Sequence, residues 1–420
     1  MAGESFRFIH ASDFHLERPL GDLDILPSHL RESLATAPFK AASAVFEAAM
    51  VENIDFLVLS GDLLNPIAAG PRGMSLLLNH FQQLNQRKTP VFWAASVADD
   101  PARWPEAVPL PPNVTLFPKN RAQSVPVQRA GRTICHVIGR SGEGRQELHV
   151  PSFRVDPTDE FTVAVGAGQT AAESLAEGRF DYWALGGDHQ RREITNPPPA
   201  GGLVGAYCGS PQARSLDETG PHGYTLVDVD SQRTVRAHAV DCDLIRYCRV
   251  SVDATGALAV GNLKAILSER VARLLHEHGS RHLIIHWDIS VSAETMHLVA
   301  DPQEWLQWLR RDYGHGSPAA WTSRLTIHPP KKYPKDWTEE DTILGDFLRA
   351  SERHAKQGAK DLHLAPFTEE HSGLSRSLAT LLADVPAADR AVLLQEATRL
   401  GVGYLRGGMA GQGGKQGGLS

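Results

Sequence analysis

Phe6-Arg7-Phe8-Ile9-His10-Ala11-Ser12-Asp13-Phe14-His15 opens the chain with an apolar run that ends in a carboxylate and an imidazole two residues apart. The run reads as a buried strand, and side chains just past a strand end can turn together toward one cation. A second such stretch, Ile54-Asp55-Phe56-Leu57-Val58-Leu59, ends at Ser60-Gly61-Asp62, where glycine lets the backbone bend. Between the two, Phe39, Ala42, Val45, Phe46 and Ala49 recur with helical spacing. A further helix is predicted over roughly 75–85, followed by the strand Pro90-Val91-Phe92-Trp93-Ala94-Ala95. Strand, helix, strand, helix, strand is an α/β signature. Oxygen and imidazole ligands at strand ends suit a divalent metal working on a phosphate ester. A lone Asp-x-His arises often by chance, but a Gly-Asp one strand–helix unit later makes the pattern specific. The competing reading is a buried Asp–His pair beside a turn aspartate.

Working outward, the region from about Asn113 carries short strands: Thr133–Ile138, Thr162–Val165, Tyr182–Leu185, Gly205–Tyr207 and Tyr224–Val229. Pro197-Pro198-Pro199 and Gly201-Gly202 break it with a surface loop. Strand and helix alternate again from Asp241 to His328, and Pro329-Pro330-Lys331-Lys332-Tyr333-Pro334 reads as a linker. Beyond it three helices are predicted, over Glu339–Ala355, Leu374–Ala383 and Ala388–Tyr404. Their apolar stripes (Leu374, Leu378, Leu381 and Leu382; Val392, Leu393, Ala397 and Leu400) suit packing on the chain's own body or docking to a partner. The expected organisation is a first domain over 1–240, a smaller α+β domain over 241–330, a helical region over 331–406, and a disordered glycine-rich tail over 407–420.

Composition narrows the class. Hydrophobic content of 42% and charged content of 22% in 420 residues fit a globular chain of two or three domains. No stretch comes close to the ~20 apolar residues of a membrane span, and no signal peptide is read at Met1-Ala2-Gly3-Glu4-Ser5. Cys135, Cys208, Cys242 and Cys248 are scattered, which suits a reducing cytoplasm better than a disulfide framework or a zinc site. A net charge of -7 argues against coating nucleic acid by charge alone, yet leaves room for a nuclease with a bound metal and a local basic groove.

Four segments, in order, carry a family resemblance. Phe8-Ile9-His10-Ala11-Ser12-Asp13-Phe14-His15-Leu16 resembles the opening of SbcD-type DNA repair exonucleases in the calcineurin-like metallophosphoesterase superfamily. Asp55–Leu63 resembles their second motif, and Phe180-Asp181-Tyr182-Trp183-Ala184-Leu185-Gly186 the stretch before their Gly-His-x-His motif. Tyr207–Gln212 with Glu218–Tyr224 resembles the close of the same domain. The resemblance implies a four-layer α/β sandwich of two mixed sheets flanked by helices, followed by a cap domain. It also implies divalent metals, manganese above all, action on DNA ends, and a large SbcC-like ATPase as partner.

Residue by residue, the resemblance implies a first metal held by Asp13, His15, Asp62 and His189. The second metal's Asn and two His positions fall on Val97, Gly166 and Gly187, and the assisting histidine on Ala98. One cation per chain is therefore expected, with weak nuclease activity, since removing a metal removes transition-state charge stabilisation. Asp99 and Asp188 are candidate replacement carboxylates or else solvated loop acids, and Arg191-Arg192 a candidate phosphate contact or else a solvated pair. His10 reads as a core histidine, and Trp305 and Trp308 as cap-domain core. The alternative functions are a non-catalytic scaffold binding DNA ends or an ATPase, and a small-molecule phosphoesterase with a single-metal site.

Overall fold

A computed structural model describes residues 4–406 apart from positions 24, 26, 143–146, 197–201, 258, 331 and 358–385. The predicted helix Leu374–Ala383 and the tail 407–420 lie outside the described residues. The chain divides into two compact units: 1–248 with 279–284 and 317–319, and 249–278 with 285–316 and 320–420.

The first unit holds two six-stranded mixed sheets. In one, Phe6–Ala11, Phe56–Leu59, Val91–Trp93 and Val114–Leu116 run parallel, side by side in that order. Gly223–Val229 pairs antiparallel with Phe6–Ala11, and Val235–Asp241 closes the edge. In the other, Arg132–Gly139, Phe161–Ala167, Tyr182–Gly186 and Leu203–Tyr207 run parallel, flanked by the antiparallel Gln123–Arg129 and Arg192–Thr195.

Alternation along each strand builds the layers. Phe6, Phe8, Phe56, Val58, Val163, Val165, Tyr182 and Val227 face inward and fill the space between the sheets. Ile9, Ala11, Leu57, Leu59 and Trp93 face outward against helices Arg31–Val51 and Gly70–Gln86, through Val45, Phe46, Leu77, Phe81 and Leu84. On the far side Ala164, Trp183 and Leu185 pack on Val150, Phe153 and Leu175. The result is a four-layer α/β/β/α sandwich.

The expectation that no stretch comes close to a membrane span needs correction: by length and composition, Ser28–Val51 is long and apolar enough to cross one. Its Leu34, Ala37, Ala41, Ala42, Val45, Phe46 and Ala49 are instead buried in the first unit, as in the core helix of a globular fold.

Ile245–Asp253, His282–Ser290 and Ala320–His328 form a three-stranded sheet in sequence order. In the second unit Trp305 and Trp308 are core, with rings 5.7 Å apart edge to face and the Trp305 indole donating to the Leu298 carbonyl at 2.8 Å. The proline-rich linker does not end a compact unit. Helix Ala387–Leu405 belongs with the α+β residues before it, its buried Arg399 donating to the Val299 carbonyl at 3.3 Å.

Candidate metal centre

The motif residues follow the ends of parallel strands from both sheets, the edge where α/β folds gather ligands. Residues 13–16 and 61–63 are zipped together: Asp13 N donates to Gly61 O (3.0 Å), His15 N to Asp62 O (2.9 Å) and Leu16 N to Leu63 O (3.1 Å). Asp13, His15 and Asp62 all sit at left-handed φ, 57°, 41° and 56°. Each costs ~1–3 kcal/mol for a non-glycine residue, strain that concentrates at functional sites. From the second sheet, a Cβ on Gly186 would stand 1.7 Å from the Ser60 carbonyl oxygen, so only glycine lets the two strand ends meet. The next amide, Gly187 N–H, then reaches the Asp13 carboxylate at 3.1 and 3.2 Å.

Asp13, His15 and His189 converge. Their Nε2 atoms lie 3.0 Å apart, and each is 3.9 Å from Asp13 Oδ1. Two ligands ~2.1 Å from a shared ion can be at most ~4.2 Å apart, and all three separations fall inside that limit. The His189 Nδ1 lies 2.6 Å from Glu218 Oε1, which places the ring proton there and leaves a lone pair on Nε2. His15 Nδ1 lies 3.5 Å from Glu17 Oε1. Two imidazole nitrogens within 3.0 Å of each other beside a buried carboxylate fit a shared cation. The Glu218 contact raises the His189 pKa, while burial, then the Asp62 charge, push Asp13 up to about 6.

Asp62 departs from expectation. Its carboxylate is not part of the three-residue cluster, and Oδ1 accepts from Ser96 Oγ at 2.6 Å. Asp99 is neither solvated nor free to ligate. It is 2% exposed, and Oδ1 accepts from Ser96 N (2.6 Å), Ser96 Oγ (2.8 Å) and Asp62 N (3.2 Å). Its Oδ2 accepts from Trp93 Nε1 (2.9 Å) and Leu63 N (3.2 Å).

Gly166 also faces the wrong way. Val163 and Val165 point between the sheets, so Gly166 points outward, and its Cβ would stand 2.8 Å from Phe153 and 2.9 Å from Leu148. The neighbour that faces the site is Ala167, beside Gly61. Gly187, at φ +91°, faces Gly168. Val97 is exposed and Ala98 offers no polar side chain.

The basic pair is already engaged. Arg191 contacts Glu193 (2.9 Å) and the Ala237 carbonyl (3.3 Å), and Arg192 lies over the Tyr207 ring and 3.6 Å from Asp188. His10 is a core histidine, hydrogen-bonded to Ser60 at 2.8 Å, with its pKa lowered to about 3 by burial. Glu218, Ser96 and Ala167 escaped the sequence reading, although Glu218 stands within the closing segment of the resemblance.

No family model matches this chain. Over 291 residues it is 26% identical to a Bacillus subtilis protein described as the uncharacterized metallophosphoesterase YhaO, covering 64% of this chain and 68% of that protein. The chain is similar to a metallophosphoesterase. Together with the two mixed sheets and their flanking helices, this makes the fold a metallophosphoesterase sandwich, with a candidate Asp/His/His metal site at its expected edge.

Proposed function

We propose that this chain is an SbcD-type phosphoesterase that acts at DNA ends with one divalent cation, manganese, and hydrolyses phosphodiesters weakly. The observation that carries this reading is the closed triangle of Asp13 Oδ1, His15 Nε2 and His189 Nε2, with carboxylates behind both imidazoles. Asp13, His15 and His189 would hold the cation, which supplies positive charge against a phosphate oxygen. The chain's own groups prepare the site: Ser12 Oγ and the Gly187 amide donate to Asp13 and keep its carboxylate turned inward. Ala98, where the resemblance puts the assisting histidine, has no proton to give to a leaving group. Losing one such group costs ~10²–10⁴-fold in rate.

The reading includes a reducing, cytoplasmic setting, in keeping with four cysteines outside any disulfide, and a large SbcC-like ATPase as partner. A second reading, a non-catalytic scaffold at DNA ends, is favoured by the closed Ser96–Asp62–Asp99 cluster, which ties Asp62 away from a substrate. Exonuclease assays with manganese on DNA ends test both. Cleavage ~10²-fold or more below a two-metal relative, and lost in Asp13→Ala, is the expected outcome. Turnover equal to the relative's contradicts the proposal, and DNA-end binding with no cleavage at all favours the scaffold.

A further inference from the structure

We infer that Glu218 and Arg214 are positioning residues that lock His189 and the Asp13–His15 loop into one rigid frame, so the cation site keeps its shape with a single ion. This rests on the metal reading above.

Asp13 and His15 share one loop, His189 comes from another 174 residues beyond His15, and one short segment ties the two together. Glu218 uses both carboxylate oxygens: Oε1 holds His189 Nδ1 at 2.6 Å, and Oε2 accepts the Arg214 backbone N–H at 2.8 Å. The Glu218 carbonyl lies 3.0 Å from His222 Nε2, which fixes the segment from behind. The Arg214 side chain, 6% exposed, reaches back to the other loop. Its guanidinium donates to the Phe14 and His15 carbonyls, the latter at 3.3 Å, and to the Gln212 carbonyl at 2.9 Å.

A buried guanidinium is costly unless charges and acceptors surround it, and here Glu218, Glu17 and Asp13 supply the charge. The hydrogen bond to Glu218 also sets the His189 tautomer and makes Nε2 a stronger donor to a metal, which a purely structural brace would not do.

The test uses the full chain, titrated with manganese by calorimetry and with cobalt by its visible absorption, beside thermal melting of the metal-free protein. Glu218→Ala is expected to weaken cation affinity ~10–100-fold. Glu218→Gln keeps an acceptor for His189 but loses the charge, so it should fall between and shift the cobalt band. Arg214→Lys should weaken binding less than Glu218→Ala. If Glu218→Ala does not fold, Glu218→Gln decides. Variants that match the wild type in affinity and spectrum overturn the inference alone. A wild-type protein that takes up neither cation overturns the metal reading and this inference with it.

Discussion

Two sides of one edge behave differently. On the His189 side every ligand is backed by a further polar group: Asp13 by Ser12 and the Gly187 amide, His189 by Glu218, His15 by Glu17. On the Val97 side the polar groups contact one another. Ser96 bridges Asp62 and Asp99, and Asp99 gathers the backbone amides of Asp62 and Leu63 and the Trp93 indole. The backbone there keeps a shape suited to a site, with Asp62 and Gly187 at left-handed φ, yet no side chain points a ligand from Val97, Ala98, Ala167 or Gly187. The difference teaches that neighbouring loops at one edge can put their polar groups to different uses, converging as candidate ligands on one side and bracing the backbone on the other.

That comparison can be broken or sharpened by substitution. Asp99→Ala orphans several buried donors at once, each worth ~1–3 kcal/mol, so a loss of about 3 kcal/mol or more is expected in denaturant unfolding. Cation binding by the folded variant should persist, since Asp99 braces the loop and is no ligand. A drop in metal stoichiometry on Asp99→Ala would show that the two sides are one site. Gly166→His drives an imidazole into Phe153 and Leu148 and should cost ~1–3 kcal/mol by overpacking, read as a lowered melting temperature. Ala167→His, one residue on, faces the half-buried site and should cost less than Gly166→His in the same melt. The reverse order would mean that Gly166 faces the site after all.

Much of this was legible in the sequence, and the failures have physical causes. Apolar runs such as Phe6–Ala11 and Phe56–Leu59 announce buried parallel strands, and Asp13, His15 and His189 stand where strand ends deliver them. Gly166 failed by one residue, because side chains alternate along a strand and a single-residue shift reverses the face. Asp99 read as a loop acid because its partners Trp93, Asp62 and Leu63 are assembled only by folding. The turn of Asp62 toward Ser96 depends on contact between two loops 34 residues apart, which no local pattern encodes. Glu218 lies 29 residues beyond His189, with no spacing rule to connect them. The membrane-length helix Ser28–Val51 escaped the reading because charged residues such as Arg31, Glu32 and Lys40 interrupt its apolar run.

The central claim is that one side of this edge binds a cation and the other does not. The most direct measurement is the number of manganese ions bound per chain at equilibrium, read by calorimetry with elemental analysis of the same sample. The account predicts one tight site, lost in His189→Ala. Two tight ions per chain, or one that survives His189→Ala, would contradict it.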